Sequence, residues 1–280
     1  MKIAIVTNSK AGSGKAILLS NKIRDVLTSL SISSKIFLEN EWSDEIYSYG
    51  FVWIVGGDGT VNYFINQYND IKLPLCIFNG GTGNDFYSLL YGNITLENQI
   101  DKVLHSKSRT IDVGKCNNRY FLNGVGIGFE GAVAKRLIGV NKFSGKTSFL
   151  LSIFKEIFKY KEQEYFIKSD EFTISSKFLM ISIANGTRYG GGFHVAPLAK
   201  PDDGFLDANF VYPINSINRL RYLPVIEKGK HLQLDFIKYF NIKKIIISSN
   251  KIIQAHLDGE YLENFKLEIE ILPSHFNFIY

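Results

Sequence analysis

An apolar run, Phe51 to Val55, passes directly into GGDGT at 56–60 and then into the helical pattern TVNYFINQY. This junction constrains the chain more than any other feature. A strand without polar interruptions is one covered on both faces, and glycines at the start of a helix leave backbone N–H groups open to an anion. The rhythm recurs. Short apolar runs at 3–6 (IAIV), 35–38 (KIFL) and 73–78 (LPLCIF) alternate with glycine-rich turns and helical patterns at 15–30, 60–68, 85–91 and 95–105. The last of these opens on Thr95 as an N-cap. The pattern predicts an α/β domain over 1–113 with a parallel sheet, Rossmann-like in having helices on both faces, and completed by 274–280.

From Arg109 the texture changes. Strand-like runs at 109–115 and 119–125, a helical stretch over 129–160, and short strands at 163–168, 171–175, 178–184, 205–212, 233–239, 243–248, 251–257 and 265–271 predict a mostly antiparallel, sandwich-like β domain over 114–273. Hydrophobic residues make up 45% of the 280, with 22 Phe, 15 Tyr and only 6 Pro, which excludes a disordered or linker-rich chain. The net charge of +5 is spread along the sequence, too weak for a nucleic-acid footprint but suited to an anionic ligand or membrane surface. Cys76 and Cys116 form no disulfide framework and no metal spacing. The N-terminus lacks the pattern of a signal peptide, and no uncharged run reaches spanning length. The expectation is a cytoplasmic protein, peripheral at a membrane surface.

Three glycine-rich turns follow strands of the first domain, and in open α/β sheets such turns gather at the carboxyl edge, where ligands bind. GGDGT is the sharpest. Its glycines would admit phosphate through positive φ or close backbone approach, and Asp58 would repel phosphate unless a Mg²⁺ intervened. The rival reading of Asp58 is a tight Asp-Gly turn. NSKAGSGKA at 8–16 imitates a P-loop but has Ser9 and Ala16 where Gly and Ser/Thr are required, so the Mg²⁺-binding hydroxyl is missing. NGGTGNDF at 79–86 supplies Thr82, Asn84 and Asp85.

Taken in order, GGDGT, GTGNDF at 81–86, Ile111-Asp112, FLNGVGIGFEG at 121–131, YGGGFHVAP at 189–197, DDGFLD at 202–207 and LDGE at 257–260 resemble the diacylglycerol kinase catalytic-domain superfamily, and within it the compact bacterial lipid kinases. The resemblance implies an ATP- and Mg²⁺-dependent kinase that phosphorylates a lipid hydroxyl, with nucleotide between two domains. It assigns nucleotide contacts to Asn8, Gly12, Lys15, Gly56, Gly57, Asp58, Gly59, Thr60 and Thr82. A carboxylate network falls on Asp58, Asp85 and Asp112, and the general base on Glu260. A structural Mg²⁺ falls on Asp203 with the carbonyls of Lys200 and Phe205. Diacylglycerol, converted to phosphatidic acid in phospholipid biosynthesis, is the default acceptor; phosphatidylglycerol, a sphingoid base or another long-chain alcohol stays open, as does a homodimer. Three motifs depart from the family pattern: Ser9 and Asn79 stand where it has proline, and Glu130-Gly131 where it has Asp-Ala.

Other readings are weaker. GIGFEG at 126–131 fits G-x-G-x-x-G but does not open a first βαβ unit. An NAD kinase would carry a T-P-T-G-S-T-A-Y segment that has no counterpart here. An inert lipid- or nucleotide-binding regulator is disfavoured by intact Asp58 and Glu260. The five histidines show no zinc spacing, and His256 reads as a strand residue beside the LDGE turn. The stretch 142–161 puts Phe149, Ile153 and Ile157 on one helical face, which predicts a core-packing helix with lipid contact as the alternative.

Overall fold

The computed structural model describes residues 2–139 and 145–280. It divides into two compact units, Met1–Ile111 with Ser274–Tyr280, and Asp112–Pro273. In the first, strands β1 (Lys2–Thr7), β2 (Ser33–Leu38), β3 (Phe51–Gly56) and β4 (Leu75–Asn79) form a parallel sheet in the order β2-β1-β3-β4. Helices α1 (Lys15–Ser29), α2 (Asp58–Gln67), α3 (Asp85–Tyr91) and α4 (Leu96–His105) connect and follow these strands. The apolar runs of β1, β3 and β4 are buried, apart from the half-buried Phe51 at the start of β3, as parallel strands with both faces covered require. Thr95 caps α4 by accepting from Asn98 N–H.

The chain end completes this unit. The final strand β14 (Glu260–Phe278) pairs parallel with β4 at Phe278, and Ile279 N–H donates to Leu75 O at 2.9 Å. Tyr91 Oη donates to Ile279 O at 2.6 Å, and Phe278 packs edge-on against Phe86. Burial of Phe278 alone is worth roughly 1.5–3 kcal/mol.

The second unit is antiparallel. Its order is β12 (Ile237–Ile242), β11 (Leu206–Val211), β10 (Met180–Ala184), β7 (Gly124–Gly128), β13 (Lys244–Leu257), then the body of β14. The hairpin of β8 (Gln163–Ser169) and β9 (Thr173–Phe178) pairs onto β13, and β5 (Arg109–Cys116) pairs with β6 (Arg119–Phe121). Its core gathers Phe121, Tyr165, Phe178, Phe210 and Ile245, Ile247 and Ile253 of β13. Both cysteines are free and buried.

Several elements differ from the sequence pattern: the run 119–125 is split between β6 and β7, and the strand expected at 233–239 lies at Ile237–Ile242. The helical stretch 129–160 is two helices, α5 (Phe129–Arg136) and α6 (Gly145–Lys159), and residues 140–144 lie outside the described ones. The runs 243–248 and 251–257 are one strand with an irregularity between Ser248 and Ile253. A helix α7 (Ser216–Glu227) has no counterpart in the reading, because Pro224 within it signals a break. Tertiary contacts sustain it. Asn215 caps its start, Leu220, Leu223 and Ile226 pack on α6 and its neighbours, and Arg219 donates to the carbonyls of Ile157 and Tyr160 at the end of α6.

Candidate active site

The three glycine-rich turns of the first unit meet backbone to backbone. A Cβ on Gly12 would lie 2.3 Å from Gly80 O, one on Gly57 2.6 Å from Gly83 O, and one on Gly81 2.4 Å from Gly57 Cα. Only glycine permits this approach. Gly80 N–H donates to Gly56 O, and Asp58 N–H to Gly83 O, both at 2.9 Å. In the first turn Gly12, Ser13 and Gly14 all have positive φ, at 58°, 58° and 90°. Gly57 does not. Its φ is −109°, so the need for glycine in GGDGT comes from the close approach of neighbouring backbone and not from a left-handed conformation. No side chain of the N-cap residue caps α1 or α2, in contrast to α4 and α7; at α2 the Asp58 N–H is taken by Gly83 O and the Thr60 and Val61 N–H groups by Gly57 O. Lys15 is exposed at the first position of α1, and Gly59 and Thr82 are exposed in the other two turns.

Asp58 has a role the sequence did not disclose. Its Oδ2 accepts from Asp85 N–H at 2.9 Å and its Oδ1 from Phe86 N–H at 3.1 Å. The carboxylate therefore caps α3 and ties the second glycine turn to the third. Asp85 is buried at the head of α3, and Thr60 is buried with its side chain filling the space left by Gly56. Asn8 Oδ1 accepts from Lys10 N–H at 3.0 Å, shaping the first turn.

In the second unit, β13 and β14 join through the two-residue turn Asp258-Gly259, both at positive φ (47° and 87°), the mirror-image turn that matches hairpin twist. Glu260 follows at the exposed start of β14. The turn is fixed by Asp258, whose carboxylate accepts from the N–H groups of Leu122, Asn123 and Gly124, each at 2.9 Å. Sequence reasoning passed over Asp258 in favour of Glu260. An Asp-Gly pair between two strands was the available signal.

Asp112 accepts from Gly204 N–H at 2.6 Å and donates its own N–H to Pro201 O at 2.7 Å, so it anchors the 200–207 loop. Asp203 Oδ1 accepts from Phe205 N–H at 3.1 Å, an Asx turn of the kind its sequence also suits. Behind it Asp207 is buried and bonded to Tyr239 Oη at 2.7 Å; burial, opposed by that bond and reinforced by the charge of Asp203, pushes its carboxyl up to about 6. Asp207 Oδ2 has no hydrogen-bond partner. Among the described residues no group of three or more His, Cys, Asp or Glu is clustered for a metal.

Comparison with known proteins gives the family and the fold. Residues 2–116 match the diacylglycerol kinase catalytic domain, and residues 123–280 match the YegS C-terminal NAD kinase beta sandwich-like domain. A Staphylococcus aureus protein named "putative lipid kinase" is 30% identical over 230 residues, 80% of this chain and 74% of its own. The chain belongs to the diacylglycerol kinase catalytic-domain family. A crystal structure of a "putative diacylglycerol kinase" from Bacillus anthracis, 26% identical, superposes with a TM-score of 0.79 over 100% of this chain and 96% of its own. An ATP complex of an NAD kinase from Archaeoglobus fulgidus shares the fold, at 16% identity and a TM-score of 0.59 over 100% of this chain and 94% of its own.

The departures of this kinase from the family pattern have physical accounts. Ser9 uses the N–H that a proline would lack, donating it to Glu39 at 2.8 Å while its hydroxyl donates to the same carboxylate at 2.6 Å. Asn79 ends β4 opposite Gly56, and the Gly80 to Gly56 bond beside it keeps the turns together. Glu130 enters a cavity made by a missing side chain: a Cβ on Gly126 would lie 2.1 Å from Glu130 Oε2 and 2.3 Å from His256 Nε2. Ser182 Oγ and Tyr189 Oη both donate to that Oε2 at 3.1 Å, and His256 Nε2 stands 4.0 Å from it. His256 Nδ1 accepts from Gly259 N–H at 3.3 Å, so the ring is bonded to the hairpin that carries Glu260. Gly131 fits the same packing, since a Cβ there would meet Gln254 C and O at 2.2 Å. Burial pushes Glu130 up to about 8 and His256 down to about 4, so both are neutral at pH 7.

Two predictions follow from these contacts. Asp58→Ala removes the cap of α3 and should cost about 1–2 kcal/mol in urea denaturation, with weaker Mg·ATP binding by calorimetry; Gly57→Val should abolish that binding by steric collision. Unchanged affinity in both would leave the turns structural only. For Glu130, the folded state favours the protonated form, so the fold loses stability as pH rises from the ordinary carboxylate range through about 8, whereas His256 disfavours the fold as pH falls from its ordinary value toward about 4. Glu130→Gln removes the alkaline slope alone. Its melting temperature relative to wild type should therefore rise between pH 5 and pH 9, and a constant difference would contradict the assignment.

Proposed function

We propose that this kinase transfers the γ-phosphoryl group of ATP to the hydroxyl of a membrane lipid, with diacylglycerol, giving phosphatidic acid, as the default acceptor. The observation that carries this reading is the surface of closely packed glycine backbone at Gly12, Gly57, Gly80 and Gly81, flanked by helix starts without side-chain caps and clamped by Asp58. Phosphoryl transfer asks mainly for positioning and charge neutralisation, and such a surface supplies fixed N–H donors that need no reorganisation. Asn8, Lys15, Gly59, Thr60 and Thr82 complete the nucleotide contacts. Mg²⁺, when bound with ATP, neutralises the phosphate charge; Asp58 is its first candidate carboxylate, and Asp85 supports the loop. Glu260 takes the proton of the lipid hydroxyl, held in place by the Asp258 turn. Asp203 and the carbonyls of Lys200 and Phe205 would hold a second Mg²⁺, and the buried Asp207 Oδ2, which has no hydrogen-bond partner, is the feature that fits an ion or its water in this loop.

Incubation with labelled ATP, Mg²⁺ and a panel of lipids in mixed micelles tests the reading. Label on diacylglycerol is the expected result, and label on NAD or on no lipid would overturn it. Glu260→Gln, which keeps shape but cannot take the proton, should lower turnover about 10² to 10⁴-fold with ATP affinity retained. Wild-type turnover would remove Glu260 from the mechanism. Asp203→Asn should lose the rise in melting temperature that Mg²⁺ gives wild type, and an equal rise in both would vacate the loop.

A further inference from the structure

Two residues of the second unit face each other beside the hairpin that carries Glu260, and phosphoryl transfer as described gives neither of them a task. His256 lies two residues ahead of the Asp258-Gly259 turn, 6% exposed, paired across the sheet with Gly126 on one side and Tyr261 on the other. Its ring stands edge-on to Tyr189, centroids 5.1 Å apart, in the space that Gly126 leaves by lacking a Cβ. Because Nδ1 accepts from Gly259 N–H at 3.3 Å, the hydrogen of the neutral ring sits on Nε2. That nitrogen faces Glu130 Oε2 across 4.0 Å, and the same oxygen accepts from Ser182 Oγ and Tyr189 Oη. The other ionisable groups around the pair are Tyr189, Asp258, whose charge reaches Tyr189, Glu260 after the turn, and Tyr261 with its partner Glu263 on β14. Lys135 of α5 is paired with that Glu263 and lies over the Tyr261 ring. Among the described residues neither Glu130 nor His256 has a lysine or arginine partner.

We infer that His256 and Glu130 are a positioning pair for Glu260: Nδ1 of the ring holds the hairpin through Gly259, and the charge on Glu130 decides where the ring stands. Asp258 fixes its own side of the turn through the N–H groups of 122–124, and Gly259, on the side that runs into Glu260, is held by the ring. With Glu130 neutral, Nε2–H meets an uncharged oxygen and the ring stays with Gly259. Once Glu130 is ionised its carboxylate attracts Nε2–H, and closing the gap from 4.0 Å to a hydrogen bond of about 2.9 Å moves the ring about 1 Å. The Gly259 bond, already 3.3 Å long, does not survive that shift. Burial pushes Glu130 up to about 8, so this release falls just above neutral pH. Protonation of Nδ1 breaks the same bond from the acid side, and burial holds that event down to about 4. The hairpin is therefore seated between these limits. Apolar side chains would fill the space behind Gly126 without desolvating a carboxyl and an imidazole, so packing alone does not account for the pair. The inference rests on the reading of Glu260 as the base, and its first test is read without ATP or lipid, so failure of the pair and failure of that reading are separable.

Nuclear magnetic resonance of the full chain, free of substrate, is that first test. At pH 7 His256 should show the Nε2–H tautomer. The Gly259 amide signal should shift through an apparent pKa of about 8 in wild type and stay fixed in Glu130→Gln. A signal that is constant from pH 6 to pH 9, or that moves alike in both proteins, would overturn the proposal. Turnover of diacylglycerol in mixed micelles is the second arm. His256→Leu removes the acceptor and should lower kcat about tenfold at unchanged KM for Mg·ATP, whereas His256→Asn, whose Oδ1 stands where Nδ1 stands, should restore most of the loss. Wild-type kcat should fall between pH 7 and pH 9, and Glu130→Gln should lose that fall. Equal turnover by the Leu and Asn variants, or the same alkaline fall in Glu130→Gln, would make the cluster packing only and sink the proposal. The spectra and His256→Asn keep the test decisive if His256→Leu melts early, and Glu260→Gln reports on the base assignment by itself.

Discussion

The first unit depends on backbone meeting backbone at Gly12, Gly57, Gly80 and Gly81. Each contact is shorter than any side chain would allow, and the turns must be held there against their own repulsion and solvation. Asp58 supplies the clamp. By accepting from Asp85 and Phe86 it fixes the third turn relative to the second, and the Asp58 to Gly83 and Gly80 to Gly56 bonds reinforce the same seam. One carboxylate thus fixes the seam at which the glycine-rich turns meet, the same turns on which the proposed nucleotide site rests.

The second unit uses the same device on a different element. Asp258 collects three N–H groups from 122–124 and so locks a hairpin whose next residue is Glu260. Beneath it Glu130, Ser182, Tyr189 and His256 fill a cavity that exists because Gly126 lacks a Cβ. A longer carboxylate at 130 and a glycine at 131 are a matched pair: the helix backbone comes closer to β13, and the carboxyl group occupies the space so arranged.

Helix α6 has one apolar face packed in the core and a second one exposed. Phe149, Ile153 and Ile157 were readable as a packing face, and the structure uses Ile153 and Ile157 in that way. The sequence, which left lipid contact as the alternative to core packing, did not separate Leu151, Phe154 and Phe158 from the packing face, because which apolar residues are covered depends on the neighbouring helices. Exposure on one side is set by α5 and α7, which cover the other.

By itself the sequence determined what depends on neighbours along the chain: buried parallel strands, glycine turns at their ends, the Thr95 cap, the change to antiparallel strands after Arg109, and the ordered motifs that mark the family. Local spacing encodes these because strand and helix periodicities are local. Tertiary structure decided the rest. That Asp58 caps α3, that Gly57 is required by Gly83 and not by its own φ, and that Asp258 reaches Asn123 across 135 residues are facts about partners distant in sequence. Pro224 inside α7 belongs with them: its propensity argues against a helix, and packing of Leu220, Leu223 and Ile226 outweighs it. A single sequence records which groups can donate, accept or pack, but the fold chooses which of them meet.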